Sequence, residues 1–128
     1  MGLSNSQIVS SIAVSDMDKA KEFYEGKLGL SNGQDQPDGG IDYPGGGGTR
    51  MHVYPSPDNA GSSGATIAFF AVDDVEATVD ELAGNGVSFE QYDMEGLKTN
   101  EKGVAELGDK KGAWFKDPDG NILALGDM

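Results

Sequence analysis

Residues 11–30, SIAVSDMDKAKEFYEGKLGL, and residues 67–87, IAFFAVDDVEATVDELAGNGV, carry the same order of chemistry at an offset of 58 positions. Each opens on a short apolar run, passes through aspartate, and continues with apolar residues at three- and four-residue spacing. Val14 corresponds to Val72, Asp16 to Asp74 and Tyr24 to Leu82. Self-similarity at a fixed period is the mark of a repeated supersecondary unit. The apolar runs predict strands. Asp16, and Asp73 or Asp74, are the expected N-caps, because a short acidic side chain accepts hydrogen bonds from the free N–H groups of a first helical turn. Behind the caps, Met17, Ala20, Phe23, Tyr24 and Leu28 form one apolar stripe, and Val75, Val79, Leu82 and Ala83 form its counterpart.

After each helix the chain turns to glycine, turn residues and short alternating runs, as hairpin-connected strands do. The first half continues through LSNGQ, GIDYPGGGG and TRMHVYPSP. The second continues through VSFEQYD, GVAEL, GAWFKD and NILAL. Each half therefore reads as βαβββ, residues 6–56 and 64–128, joined by the linker-like PSPDNAGSSG within a single domain of residues 1–128. The class is α+β. Such a half buries one sheet face under its own helix and leaves the other open, so two halves are expected to form curled mixed sheets with a cup-like cleft. Pairing with a second chain would close the cup, and a homodimer is expected.

Composition narrows the functions. With no cysteine there is neither disulfide nor thiolate chemistry. Twenty-two acidic against nine basic residues give a net charge of −13, which repels nucleic acid and anionic membrane. The acidic residues are dispersed, as on a solvated surface. No apolar run is long enough to span a bilayer and no targeting pattern opens the chain, so a cytoplasmic protein is expected. GGIDYPGGGGTR lacks the Lys-Ser/Thr ending of a phosphate loop and reads as a flexible hairpin loop. No G-x-S-x-G elbow is present.

The two βαβββ halves, VSDMDKAKEFYEGKLGL at residues 14–30 and WFKDPDGNILAL at residues 114–125, together resemble the glyoxalase/bleomycin resistance protein/extradiol dioxygenase superfamily, the vicinal oxygen chelate (VOC) proteins. The resemblance implies that metal-dependent members carry a His or Gln seven residues before the first capping Asp, a His seven before the second, and a Glu three after the Asn of DPDGN. Those positions are Val9, Ile67 and Ala124 here, none of which has a donor atom. No metal and no cofactor is therefore expected. A substitute ligand set would have to be built around His52.

Alternation sorts the strand faces. In NILAL, Leu123 and Leu125 suit the helix side, which turns Ala124 to the cup. In TRMHVY, Met51 and Val53 suit the helix side, so Arg50, His52 and Tyr54 should face the cup, with His52 the repeat counterpart of Ala124. Arg50 and His52 are the only arginine and histidine in the chain. Together with Tyr54 they could read an anionic or hydrogen-bonding ligand, or could simply sit solvated at a strand edge. Val9, Ser11, Ala13, Ile67, Phe69 and Ala124 should line the opposing walls. Tyr43, Tyr92 and Trp114 are rim candidates, while Phe115 suits the core. The segment DMEGLKTNEKGVAEL is either a loop over the cup mouth or a mobile surface loop.

Two functions compete. The first is a metal-free binder that sequesters a small organic molecule between its halves, similar to the bleomycin resistance branch. The second is a VOC-type enzyme, a glyoxalase-like lyase or isomerase or a dioxygenase-like protein, with His52 as general acid or base and Tyr54 assisting, or with a metal site of another make. Ser11, Arg50, His52, Tyr54, Phe69, Tyr92 and Trp114 are the ligand-binding candidates in either case.

Overall fold

The computed structural model describes residues 2–127. Strand β1 (Ser10–Val14) leads into helix α1 (Met17–Lys21), followed by strands β2 (Gln34–Asp35), β3 (Ile41–Pro44) and β4 (Arg50–Pro55). Strand β5 (Thr66–Ala71) leads into α2 (Val75–Gly84), a two-stranded hairpin of β6 (Asp93–Met94) and β7 (Leu97–Lys98), then β8 (Val104–Leu107), β9 (Lys110–Lys116) and β10 (Ile122–Gly126). Two four-stranded sheets result, ordered β1-β4-β3-β2 and β5-β10-β9-β8. In each, the strand before the helix pairs in parallel with the last strand, and the other pairs are antiparallel. This is the mixed α+β arrangement that the repeat predicts.

Both helices start as their caps require. One Asp16 carboxylate oxygen accepts from Asp18 N–H at 2.9 Å and Lys19 N–H at 3.2 Å. Asp74, rather than Asp73, caps α2 by accepting from Ala77 N–H at 3.0 Å. The first stripe departs from a plain α-helix: residues Glu22–Lys27 widen into a π-helical stretch, with Leu28 N–H donating to the Phe23 carbonyl five residues back. The wider turn lets adjacent Phe23 and Tyr24 both point inward, and both are buried.

Alternation decides what the helices cover. Ile12, Val14, Ile41, Met51 and Val53 from the first sheet join Ala113, Phe115, Leu123 and Leu125 from the second in one apolar core, with Phe23, Tyr24, Val75 and Val79 packed on it. Tyr43 belongs here too. It is 2% exposed and donates to Glu25 at 2.6 Å: its parity with Ile41 buries its ring on the helix side, and it also borders the groove between the sheets instead of standing on an open rim.

The sheets meet along a seam between β1 and β5, where Ser10 Oγ donates to the Ile67 carbonyl at 3.2 Å. The DPDGN turn locks this seam. Asp117 and Asn121 are buried; Asp117 accepts from the Tyr24 hydroxyl at 2.7 Å, and Asn121 donates to the Ala13 carbonyl at 2.8 Å. Asp119 accepts from Ser15 N–H at 3.0 Å. Burial and the neighbouring Asp117 carboxylate push the Tyr24 hydroxyl's pKa up, which keeps it a donor. The connection between the sheets is docked rather than loose: Gly61 N–H donates to Asn121 Oδ1 at 3.0 Å, and at its φ of +67° a side chain would collide with the Asp119 carbonyl.

Three stretches differ from expectation. LSNGQ contributes only the start of the two-residue β2, and VSFEQYD makes one isolated bridge, Phe89 to Phe115, before its last residue opens β6, because neither run alternates over enough residues to sustain a long ladder. DMEGLKTNEKGVAEL is not a bare loop. It folds the β6–β7 hairpin about Gly96 and borders a groove of about 650 Å³ with Glu76 and Lys111, residues on the helix side.

Candidate functional site

Facing away from the core, the first sheet presents a charged network. The burial pattern along β4 alternates, with Met51 and Val53 buried and Arg50, His52 and Tyr54 turned to the other face. His52 pairs in register with Ser11 on one side and Asp42 on the other. Its Nδ1 lies 2.5 Å from an Asp42 carboxylate oxygen, and its Nε2 lies 2.8 Å from Asp38. Asp38, in the turn before β3, also accepts from Gly40 N–H at 2.8 Å. Tyr54 stacks on the imidazole, ring centres 5.4 Å apart and planes 8° from parallel.

A neutral imidazole carries one N–H, whereas two carboxylates each want a donor, so this geometry suits the imidazolium. Burial pulls the His52 pKa down, but the hydrogen bonds and charges of Asp38 and Asp42 outweigh it and hold the pKa above 6.5. The Gly40 N–H, and then His52, hold the Asp38 carboxyl below its ordinary range. With both nitrogens engaged within the sheet, the ring is built to hold charge more than to exchange a proton with a ligand. Asp42 and Asp38 escaped the sequence reading. Alternation in IDYP could have flagged Asp42, which stands opposite to Ile41 and Tyr43; Asp38 offered no local signal.

The same face of the second sheet is apolar. Register aligns Phe69 with Ala124 and Ala124 with Trp114. The Phe69 ring lies over Gly126, where an added methyl would stand 3.0 Å from it, and Trp114 lies over Gly112. Tyr92 meets Trp114 edge to face at 5.7 Å. Two aromatic rings thus flank a floor of small residues, and Phe69 is 52% exposed.

At the end of the seam where β1 begins and β5 finishes, the strands part around a groove of about 740 Å³. Ile8, Leu30, Met51 and Phe70 give it apolar walls, and Arg50 and Phe69 border it. The structure therefore distributes the expected residues over neighbouring places: Arg50 and Phe69 at the groove, His52, Tyr54 and Ser11 on the first sheet, Trp114 with Tyr92 on the second. Ile67 departs from the alternation. Thr66 pairs with Ile122 and Ala68 with Leu123, so Ile67 is the extra residue of a bulge; it packs against the core as well as bordering the groove.

The model of the Glyoxalase/Bleomycin resistance protein/Dioxygenase superfamily matches residues 6–125. The chain belongs to that superfamily. TnmS3, an antibiotic binding protein from Streptomyces sp. CB03234, is 28% identical over 99% of this VOC chain and 98% of its own, with a TM-score of 0.67. A glyoxalase/bleomycin resistance protein from the same Streptomyces is 27% identical over 95% and 100%, TM-score 0.66. UcmS2, at 22% identity and TM-score 0.72 over 95% and 97%, shares the fold. Comparison with curated proteins gives no match.

The residues of this VOC chain do not fit the superfamily's metal. The side chains of Val9, Ile67 and Ala124 offer no lone pair, Ala124 is buried, and Ile67 is taken up by the bulge. The Asp38 and Asp42 carboxylates sit on opposite nitrogens of His52 and so do not converge on one point. Among the described residues, no three His, Cys, Asp or Glu side chains are grouped to hold an ion.

Proposed function

We propose that this protein is a metal-free binder, acting in the cytoplasm, that sequesters a small organic molecule with an apolar or aromatic body. The groove of about 740 Å³ carries the reading: it has the size of a ligand site, apolar walls and a polar group at its edge. The adjoining open faces extend the contact, with Phe69, Trp114 and Tyr92 as stacking surfaces and Ser11, Arg50, His52 and Tyr54 as the polar side. A relative 28% identical is an antibiotic binding protein, which favours binding over turnover. The chain is taken as one domain of two βαβββ modules, and as a homodimer in which a second copy covers apolar surface left open at Leu107, 44% exposed.

Native mass spectrometry of freshly purified protein, with metal analysis, tests this. A dimer that retains a small molecule and no stoichiometric metal supports the reading; one transition-metal ion per chain overturns it. Trp114 is the only tryptophan, so quenching of its emission reports ligand arrival beside Phe69.

A further inference from the structure

We propose that the seam groove takes an amphipathic anion, a carboxylate on an aryl or alkyl body, with Arg50 as its charge partner. This rests on the groove-binding reading above and adds the chemical class of the ligand. Arg50 is the chain's only arginine. Its guanidinium is half exposed, and its ion pair, to Asp42, is 3.6 Å long, outside hydrogen-bond range. Asp42 cannot close that gap. Its other oxygen is held by His52 at 2.5 Å, and the side chain is only 16% exposed. Five N–H donors thus stand against one loose contact.

Other polar side chains at the groove are already spent. Ser10 donates to the Ile67 carbonyl, Thr49 to the Gly46 carbonyl at 2.7 Å, and Tyr43 to Glu25. Arg50 remains as the group at the groove edge with donors to give, beside the apolar walls of Ile8, Leu30, Met51 and Phe70. A planar carboxylate matches the guanidinium fork in a two-point contact while its body lies along those walls. A cation would face the guanidinium. A neutral ligand would leave its donors as they are. The net charge of −13 opposes an anion's approach, but only within a Debye length of roughly 8 Å at physiological salt, whereas the guanidinium contact is direct.

Three probes with one body test this on the intact protein by calorimetry: 2-naphthoate, 2-naphthalenemethanol and 2-naphthylmethylammonium. The expected result is that 2-naphthoate binds about tenfold or more tightly than either, that Arg50→Gln removes the advantage, and that Arg50→Lys keeps part of it, since a point charge lacks the fork. Equal or tighter binding of the alcohol or the ammonium, or unchanged naphthoate affinity in a folded Arg50→Gln, overturns the inference and leaves the binding reading standing. Failure of all three probes to bind overturns both.

Discussion

The two open faces occupy equivalent places in a repeated scaffold and have opposite chemistry. On the first sheet, β4 presents His52 between two carboxylates; on the second, β10 presents Ala124 between Phe69 and Trp114. The repeat preserves the inward residues, Val53 and Leu125 among them, which answer to one shared core. The outward residues answer to no such constraint and have diverged into a wall of paired charge and a wall of rings over glycine. What is duplicated is the scaffold, and what is distinct is the surface that meets a ligand.

Four measurements press on this contrast. Leu123→Ala removes core volume on which both faces rest and should cost about 2–5 kcal/mol in urea unfolding. A single transition is expected; separate melting of the two sheets would show that the halves fold independently and would break the comparison at its root. Gly126→Ala strikes the ring wall alone, since the new methyl meets the Lys111 carbonyl at 2.9 Å and the Phe69 ring at 3.0 Å. A loss of roughly 1–3 kcal/mol is expected, with the His52 resonances unmoved. Tyr24→Phe cuts the clamp between the sheets, deprives buried Asp117 of one donor, and should cost about 1–2 kcal/mol by thermal unfolding.

The smallest effect is specific to the charged wall. As the single histidine, His52 can be titrated by NMR, and its midpoint should lie above 6.5, falling in Asp38→Asn. Because the folded pKa is raised, the stability this ring contributes is complete below 6.5 and is lost as pH rises through the raised value. Asp38 runs the other way: its folded pKa is lowered, so its contribution is present above 3.8 and lost as pH falls through the lowered value. The network is thus fully formed between those limits. A midpoint at or below 6.5 would mean that the ring is neutral at pH 7 and that the two carboxylates stand without a cation between them.

Much of the scaffold could be read from periodicity. Asp16 and Asp74 cap helices whose stripes pack on the core through Ala20, Phe23, Tyr24, Val75 and Val79, with Met17, Leu28 and Leu82 half-buried, whereas Ala83 is exposed at the end of its helix; the parity of Met51, Val53, Leu123 and Leu125 assigned their side of the sheet. Local pattern failed where tertiary partners decide. The Ile67 bulge depends on how β5 meets β10, and the two-residue β2 on pairing with β3. DPDGN reads as an ordinary turn, yet Asp117 and Asn121 are buried by contacts with Tyr24 and Ala13, about a hundred positions away. At the candidate site the outward parity of His52 was legible, but its carboxylate partners come from a turn and a neighbouring strand, so the ring's charge was not.

The docked connection at Gly61 bears on how two such chains can associate. Both groups that hold Gly61, Asn121 Oδ1 and the Asp119 carbonyl that leaves no room for a methyl, belong to the second half, while Ser56 N–H donates to the Val14 carbonyl of the first, so any trading of halves between chains would have to hinge within residues 57–60. The crossing segment thus leaves only a few residues free to act as a hinge, and substituting Gly61 would be the direct way to lengthen it.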